Sequence, residues 1–271
     1  MPSIRLTVLG GLALARDGVR LDGAAAQPKR LALLAALAAS GGRGMAREKL
    51  MTLLWPEVDD ERARRNLAQA VYALRQELGD DALQGGTWDL RLNDSLITSD
   101  LAELEEARGS GALERAATLY TGPFLEGFAA AGSSEFDRWA EDERGKLSHE
   151  IASVLDDLVD QAESRGDARA AVDWLRRRIA RDPHDGKVAS RLILALARAG
   201  DLASGRSFAS IFQAGLAEDL GLPPDKEVES ALRAVARMPE PSHTAEMAIP
   251  PPARATPAVA APGRPRGPLP S

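Results

Sequence analysis

Residues 61–78 read ERARRNLAQAVYALRQEL, and the reading of this stretch decides the fold. Leu67, Val71, Leu74 and Leu78 recur at the spacing that gathers apolar side chains on one face of a helix. At about 100° per residue, Arg65, Gln69, Tyr72 and Gln76 project from the opposite face, with Arg62 at its edge and Arg64 and Arg75 flanking it. No acidic residue falls between Glu61 and Glu77. Arginine takes guanine O6 and N7 with two donors, glutamine does the same to adenine, and further arginines neutralise phosphates. A core-seeking stripe backed by Arg, Gln and Tyr therefore suits a helix that enters a DNA major groove. A solvated amphipathic helix has the same pattern, so the surroundings must choose between the two.

Upstream, Ile4 to Leu9 is a β-rich run, and Leu12–Ala15 and Val19–Leu21 flank the turn Asp17-Gly18. Pro28 opens an apolar helix, KRLALLAALAAS, that stops at Gly41-Gly42, and Ala46–Trp55 is a second helix stopped by Pro56. Downstream, Trp88, Leu90 and Leu92 alternate with polar residues, Asn93-Asp94 makes a turn, and Leu96-Ile97-Thr98 returns as a strand. Strands, three helices and a hairpin in that order describe a winged helix, in which the third helix enters the major groove and the hairpin lies on the backbone. Residues 1–100 carry equal numbers of basic and acidic side chains, thirteen of each, so only the third helix is locally basic.

From Asp100 the chain reads as helix after helix: 100–108, 111–120, 134–165, 168–181, 185–199, 202–220 and 225–237, parted by Gly, Asp-Pro or Pro-Pro. Arg165-Gly166-Asp167-Ala168 returns as Ala199-Gly200-Asp201-Leu202 after 34 residues, the length of a tetratricopeptide unit. Stacked helix pairs make a small solenoid; an ordinary helical bundle is the alternative. Trp139 and Trp174 read as anchors between helices, and Trp55 as part of the winged-helix core. From Met238 onward, ten of the chain's 17 prolines fall in 34 residues with few large apolar groups, which reads as a disordered tail.

Composition narrows the function. A net charge of −6 argues against coating nucleic acid along the whole surface, though a local basic site suffices for binding. With no cysteine, thiolate chemistry and Cys-ligated metals are excluded. His149, His184 and His243 lie far apart with no partner at metal-ligand spacing. Gly145-Lys146 lacks the upstream glycine and the following Ser or Thr of a phosphate loop. No cofactor, metal or catalytic set is expected, and the chain is not read as an enzyme. The start MPSIRLTVLG has no signal-peptide pattern and no apolar run approaches membrane-spanning length, so a soluble cytoplasmic protein is expected.

The ordered set of motifs resembles the Streptomyces antibiotic regulatory proteins, which join an OmpR-like winged helix to a bacterial transcriptional activator domain. The likeness rests on Leu6-Thr7-Val8-Leu9-Gly10-Gly11, Pro28-Lys29-Arg30-Leu31-Ala32-Leu33-Leu34-Ala35, Arg47–Trp55 with its Leu-Trp-Pro end, and Asn66-Leu67 through Val71 to Leu74-Arg75. In the second half it rests on Tyr120-Thr121-Gly122-Pro123-Phe124-Leu125 and Glu218-Asp219-Leu220-Gly221-Leu222-Pro223-Pro224. Tyr-Thr stands before Gly122 where the family usually has Trp-Arg, and Gln69 stands where relatives often have a small hydroxyl residue.

The resemblance implies a mainly α protein: a winged helix over residues 1–100, an all-α, TPR-like activator domain over 101–237, and the tail over 238–271. It implies a bacterial transcriptional activator at the nucleoid, bound to direct repeats in double-stranded promoter DNA, dimeric or in tandem, that recruits RNA polymerase holoenzyme. Arg62, Arg64, Arg65, Gln69, Tyr72 and Arg75 would then contact DNA, and Trp88 would sit where the wing begins. The acidic loop before the third helix, with Asp59 and Asp60, would face polymerase. The competing expectation is a helical-repeat scaffold that docks proteins and binds no DNA.

Overall fold

The computed structural model describes residues 4–130 and 132–238; the expected tail lies outside them but for Met238. Strand β1 (Ile4–Thr7) points Ile4 and Leu6 into the core. It pairs antiparallel with β2 (Ala13–Arg16), which turns at Asp17-Gly18 into β3 (Val19–Arg20). Helix α1 (Pro28–Ser40) carries its proline in the first turn, where a missing N–H costs nothing. Ala32 to Ala38 are all buried, so α1 is a core helix rather than a surface one. After β4 (Met45–Ala46) come α2 (Arg47–Leu54) and α3 (Asp60–Leu78). The Asp59 carboxylate caps α3 by accepting the Arg62 amide at 2.8 Å.

The wing is not built from the strands that alternation suggests. Strand β5 (Leu83–Gln84) pairs antiparallel with β6 (Asp89–Leu92), which also pairs with β4, so the hairpin turns through residues 85–88. The Asn93-Asp94 turn does form, with the Leu96 and Ile97 amides donating to the Asn93 carbonyl at 2.9 Å. It leads away from the wing, however. Strand β7 (Ile97–Ser99) joins the first sheet in parallel with β1, giving the order β3-β2-β1-β7. The cause is the open edge of β1, whose buried Ile4 and Leu6 need a neighbour that also carries an inward apolar side chain, and Ile97 supplies it opposite Ile4.

The rest is helical: α4 (Asp100–Gly109), α5 (Leu113–Leu119), α6 (Ser134–Ser164), α7 (Ala168–Ile179), α8 (Gly186–Arg198), α9 (Leu202–Leu220) and α10 (Lys226–Ala236). All seven segments expected from the breakers form. The 34-residue echo is a repeated turn: Gly166 and Gly200 are left-handed, and Asp167 and Asp201 each cap the next helix. Consecutive helices from α6 to α9 pack on one another, and α10 folds back against α8.

The two halves share one continuous core. The segment between α5 and α6 passes under the first sheet. There Gly10 N donates to Pro123 O at 3.0 Å, Leu125 N to Val8 O at 2.8 Å, and Thr121 Oγ1 to Leu9 O at 2.7 Å. Gly10 and Gly122 face each other so closely that a Cβ on Gly122 would lie 2.7 Å from the Gly10 Cα. Phe124 is fully buried and meets Trp139 edge to face at 5.8 Å. Buried Asp100, at the start of α4, accepts the amides of Val8, Leu9 and Leu101 at about 2.9 Å each. Burial raises its carboxyl above the usual range, against the lowering pull of those three donors. Below α2, the buried Ser133 hydroxyl donates to Leu53 O at 2.6 Å.

Candidate DNA interface

The α3 stripe behaves as its spacing requires. Ala63, Leu67, Ala70, Val71, Leu74 and Leu78 are buried, while Arg62, Arg64, Arg65, Gln69, Tyr72 and Gln76 are exposed. Tyr72 has 66 % of its surface open to solvent. Arg65 lies 3.4 Å from Glu61 one turn back, an exposed pair that water screens and a phosphate can displace.

Arg75 has a different occupation. It is half-buried, its Nη2 donates to the Leu83 carbonyl at 2.8 Å, and its Nε is shut from solvent. It braces the root of β5 from the flank of α3 that the wing covers. Asp59 is engaged as the helix cap, whereas Asp60 is exposed in the first turn.

Trp88 stands at the wing tip with 80 % of its surface exposed. The tip is fastened to α2: the Arg47 amide donates to Trp88 O at 2.9 Å and the Arg47 Nε to Gly86 O at 3.1 Å. Between α2, α3 and the tip lies a cleft of about 670 Å³, lined among others by Arg47, Met51, Arg64, Leu67 and Trp88. The structure thus brings Arg64 and Trp88 to one groove and keeps Arg62, Arg65, Gln69 and Tyr72 along the open face of α3. Sequence reasoning missed two cations here. Arg47 fixes the wing, and Arg91 is exposed on β6 between buried Leu90 and Leu92. The same alternation that identifies the strand marks Arg91 as its outward residue.

The arrangement offers a convex helix face of Arg, Gln and Tyr beside a hairpin whose tip is bonded to Arg47. No helix among the described residues is long and apolar enough to cross a membrane.

Comparison with known proteins identifies both halves of the chain. Residues 23–86 match the family model described as transcriptional regulatory protein, C terminal. Residues 89–236, just over half the chain, match the one described as bacterial transcriptional activator domain. No curated protein matches the chain. Among solved structures, the chain is similar to Mycobacterium tuberculosis EmbR in complex with a low affinity phosphopeptide. The TM-score is 0.58 at 21 % identity, over 88 % of this chain and 66 % of that one, so the chain spans just under two thirds of that protein. At that identity the likeness is one of fold. The two models divide the chain where the wing hairpin turns, with the OmpR-like region before it and the activator domain after it, and the chain belongs to the Streptomyces antibiotic regulatory protein family of transcription regulators.

Proposed function

We propose that this regulator binds double-stranded promoter DNA sequence-specifically and activates transcription. In this reading α3 enters the major groove, with Arg65, Gln69 and Tyr72 on base edges and Arg62 and Arg64 on phosphates. Trp88 and Arg91 meet the adjoining backbone. Arg75 acts indirectly, by holding the wing root. The observation that carries the reading is the cleft between α3 and the wing tip, which Arg64 and exposed Trp88 line together. Two copies would occupy direct repeats. Asp60 and the helical half would meet RNA polymerase holoenzyme, and the protein would work in the cytoplasm at the nucleoid.

The scaffold reading, without DNA, draws on the exposed apolar side chains Ile211, Leu220 and Leu222 at α9 and just beyond it. One experiment separates the two. The intact chain is used to enrich genomic fragments, and the enriched duplex is then titrated by fluorescence anisotropy across a salt series. Each phosphate contact adds about 0.9 to the slope of log affinity against log salt. Replacing Arg62 and Arg64 by Ala should therefore lower the slope by about 2. Unchanged affinity and slope in the double variant would refute the proposal. Enrichment of no sequence would favour the scaffold.

A further inference from the structure

Away from α3, the helical half contains a second basic feature that the DNA reading leaves unused. Arg176, Arg177 and Arg178 are consecutive, but the fold sends them to different surroundings. Arg176 is exposed, and Arg178 is half-buried between Asp156 at 3.4 Å and Asp185 at 3.3 Å. Arg177 turns instead towards Arg181, four residues on. Together they line an open cavity of about 760 Å³ between α6, the end of α7 and the Tyr120–Pro123 segment.

Both guanidinium groups lie over aromatic rings. The Arg181 Cζ lies 4.2 Å over the Tyr120 ring and the Arg177 Cζ 5.1 Å from the Trp174 centroid. Stacking occupies the face of a guanidinium and leaves the N–H edges free, the geometry that meets an oxyanion with paired donors. Arg177 commits one nitrogen, to Ala117 O at 2.5 Å. Arg181 commits none, and its Nε is closed to solvent without a partner. Neither forms an ion pair among the described residues. The lining carboxylate, Glu141, is held at 2.8 Å by Arg144, which is itself fixed to the Phe124 and Leu125 carbonyls. Ser148, one turn beyond Arg144 on α6, adds a hydroxyl to the facing wall.

We propose that this cavity binds a phosphorylated small molecule, its phosphate seated on the Arg177 and Arg181 edges. The uncommitted N–H groups of Arg177 and Arg181, together with a hydroxyl, supply several donors to the cavity, and a phosphate brings three acceptor oxygens to meet them. The volume lies within the range of small-molecule pockets. The site lies on the outer face of the Tyr120–Pro123 segment, whose inner face is bonded to Leu9 and Gly10 of the first sheet.

A simpler role for these arginines is to complement the negative end of α7, which needs only positive charge. Arg181→Lys keeps that charge and loses the planar fork. The test is isothermal titration of the intact chain with pyrophosphate at low ionic strength, on wild type, R181K, R181Q and R206A. Arg206 is an exposed arginine of α9 remote from the cavity lining. Wild type and R206A should bind saturably with equal affinity, while both Arg181 variants bind at least about tenfold more weakly with unchanged thermal melts. No saturable binding by wild type, R181K or R181Q binding as wild type does, or R206A weakening as much as they do, would each overturn the proposal.

Discussion

Replacing one glycine by alanine should lower the stability of this protein at Gly122 and raise it at Gly145. At Gly122 an added Cβ would sit 2.7 Å from the Gly10 Cα and 2.8 Å from Glu126 Oε2. A carboxylate arm can swing aside, but the backbone at Gly10 cannot, because its amide is bonded to Pro123 O and its neighbour Leu9 accepts from Thr121. Forcing a methyl into a filled space costs about 1–3 kcal/mol, and a stretched hydrogen bond adds about 1 kcal/mol. A loss of about 2–4 kcal/mol corresponds, for a folded unit of this size, to a melting temperature lowered by about 4–16 °C. Gly145 lies inside α6 with nothing within 4 Å of an added Cβ, so alanine there only removes chain entropy and gains helix propensity. The gain is up to about 1 kcal/mol. Differential scanning calorimetry of the three proteins reads both signs. A G122A melt within a degree of wild type would show that the two backbones do not meet as closely as described, and a G145A melt below wild type would remove the contrast.

Arg75→Ala should cost about 1–2 kcal/mol in urea unfolding, because it frees the Leu83 carbonyl and removes a half-buried stem. Arg64→Ala, at an exposed position of the same helix, should stay within about 0.5 kcal/mol of wild type; equal costs would contradict the bracing role. Asp100 sets a pH dependence: burial raises its folded pKa above the unfolded value, so the stability it contributes is full below the unfolded pKa and lost as pH rises through the folded one. Asp100→Asn has no proton to bind, so the wild-type advantage over the variant should shrink as pH rises above the unfolded carboxyl's ordinary value; an advantage that grows with pH would mean the three amide donors outweigh burial.

Helices were legible because their signals are local. Pro28 and Gly41 bracket α1, and Gly166-Asp167 and Gly200-Asp201 each end one helix and cap the next within a few residues. The α3 faces follow from its period for the same reason. The wing was misread because its first strand is only Leu83-Gln84, too short for an alternation, while Ile97–Ser99 alternates well and belongs to the other sheet. Which strand an apolar run joins depends on an edge more than ninety residues away, and spacing along the chain does not report it. Arg75 shows the same limit at one residue: a helical wheel puts it on a flank without saying which flank the wing covers. The Arg177–Arg181 cavity needs Tyr120 beneath it, and the Gly10–Gly122 approach joins residues separated by 112 positions.

The shared core bears directly on how the winged helix is to be tested. A fragment ending after Gly109 keeps every strand and all three helices of the winged helix, and by element order alone it looks complete. Its underside is not. Phe124, Leu125 and Phe136 are fully buried in the common core, and the fragment also loses the bonds that Pro123, Thr121 and Leu125 make to residues 8–10. Three such side chains are worth about 1.5–3 kcal/mol each, roughly 5–9 kcal/mol together. That is comparable with the whole stability of a typical domain, about 5–15 kcal/mol. Fragment 1–109 should therefore melt without a cooperative transition and bind a hydrophobic dye, while the chain through Arg237 melts as one unit. Cooperative unfolding of the fragment within a few degrees of the longer chain would refute this. A fragment that fails to bind DNA would then say nothing about α3, because the carbonyls of Val8 and Leu9 are bonded by Leu125 and Thr121, which the fragment lacks, and the winged helix is held in shape by the domain that follows it.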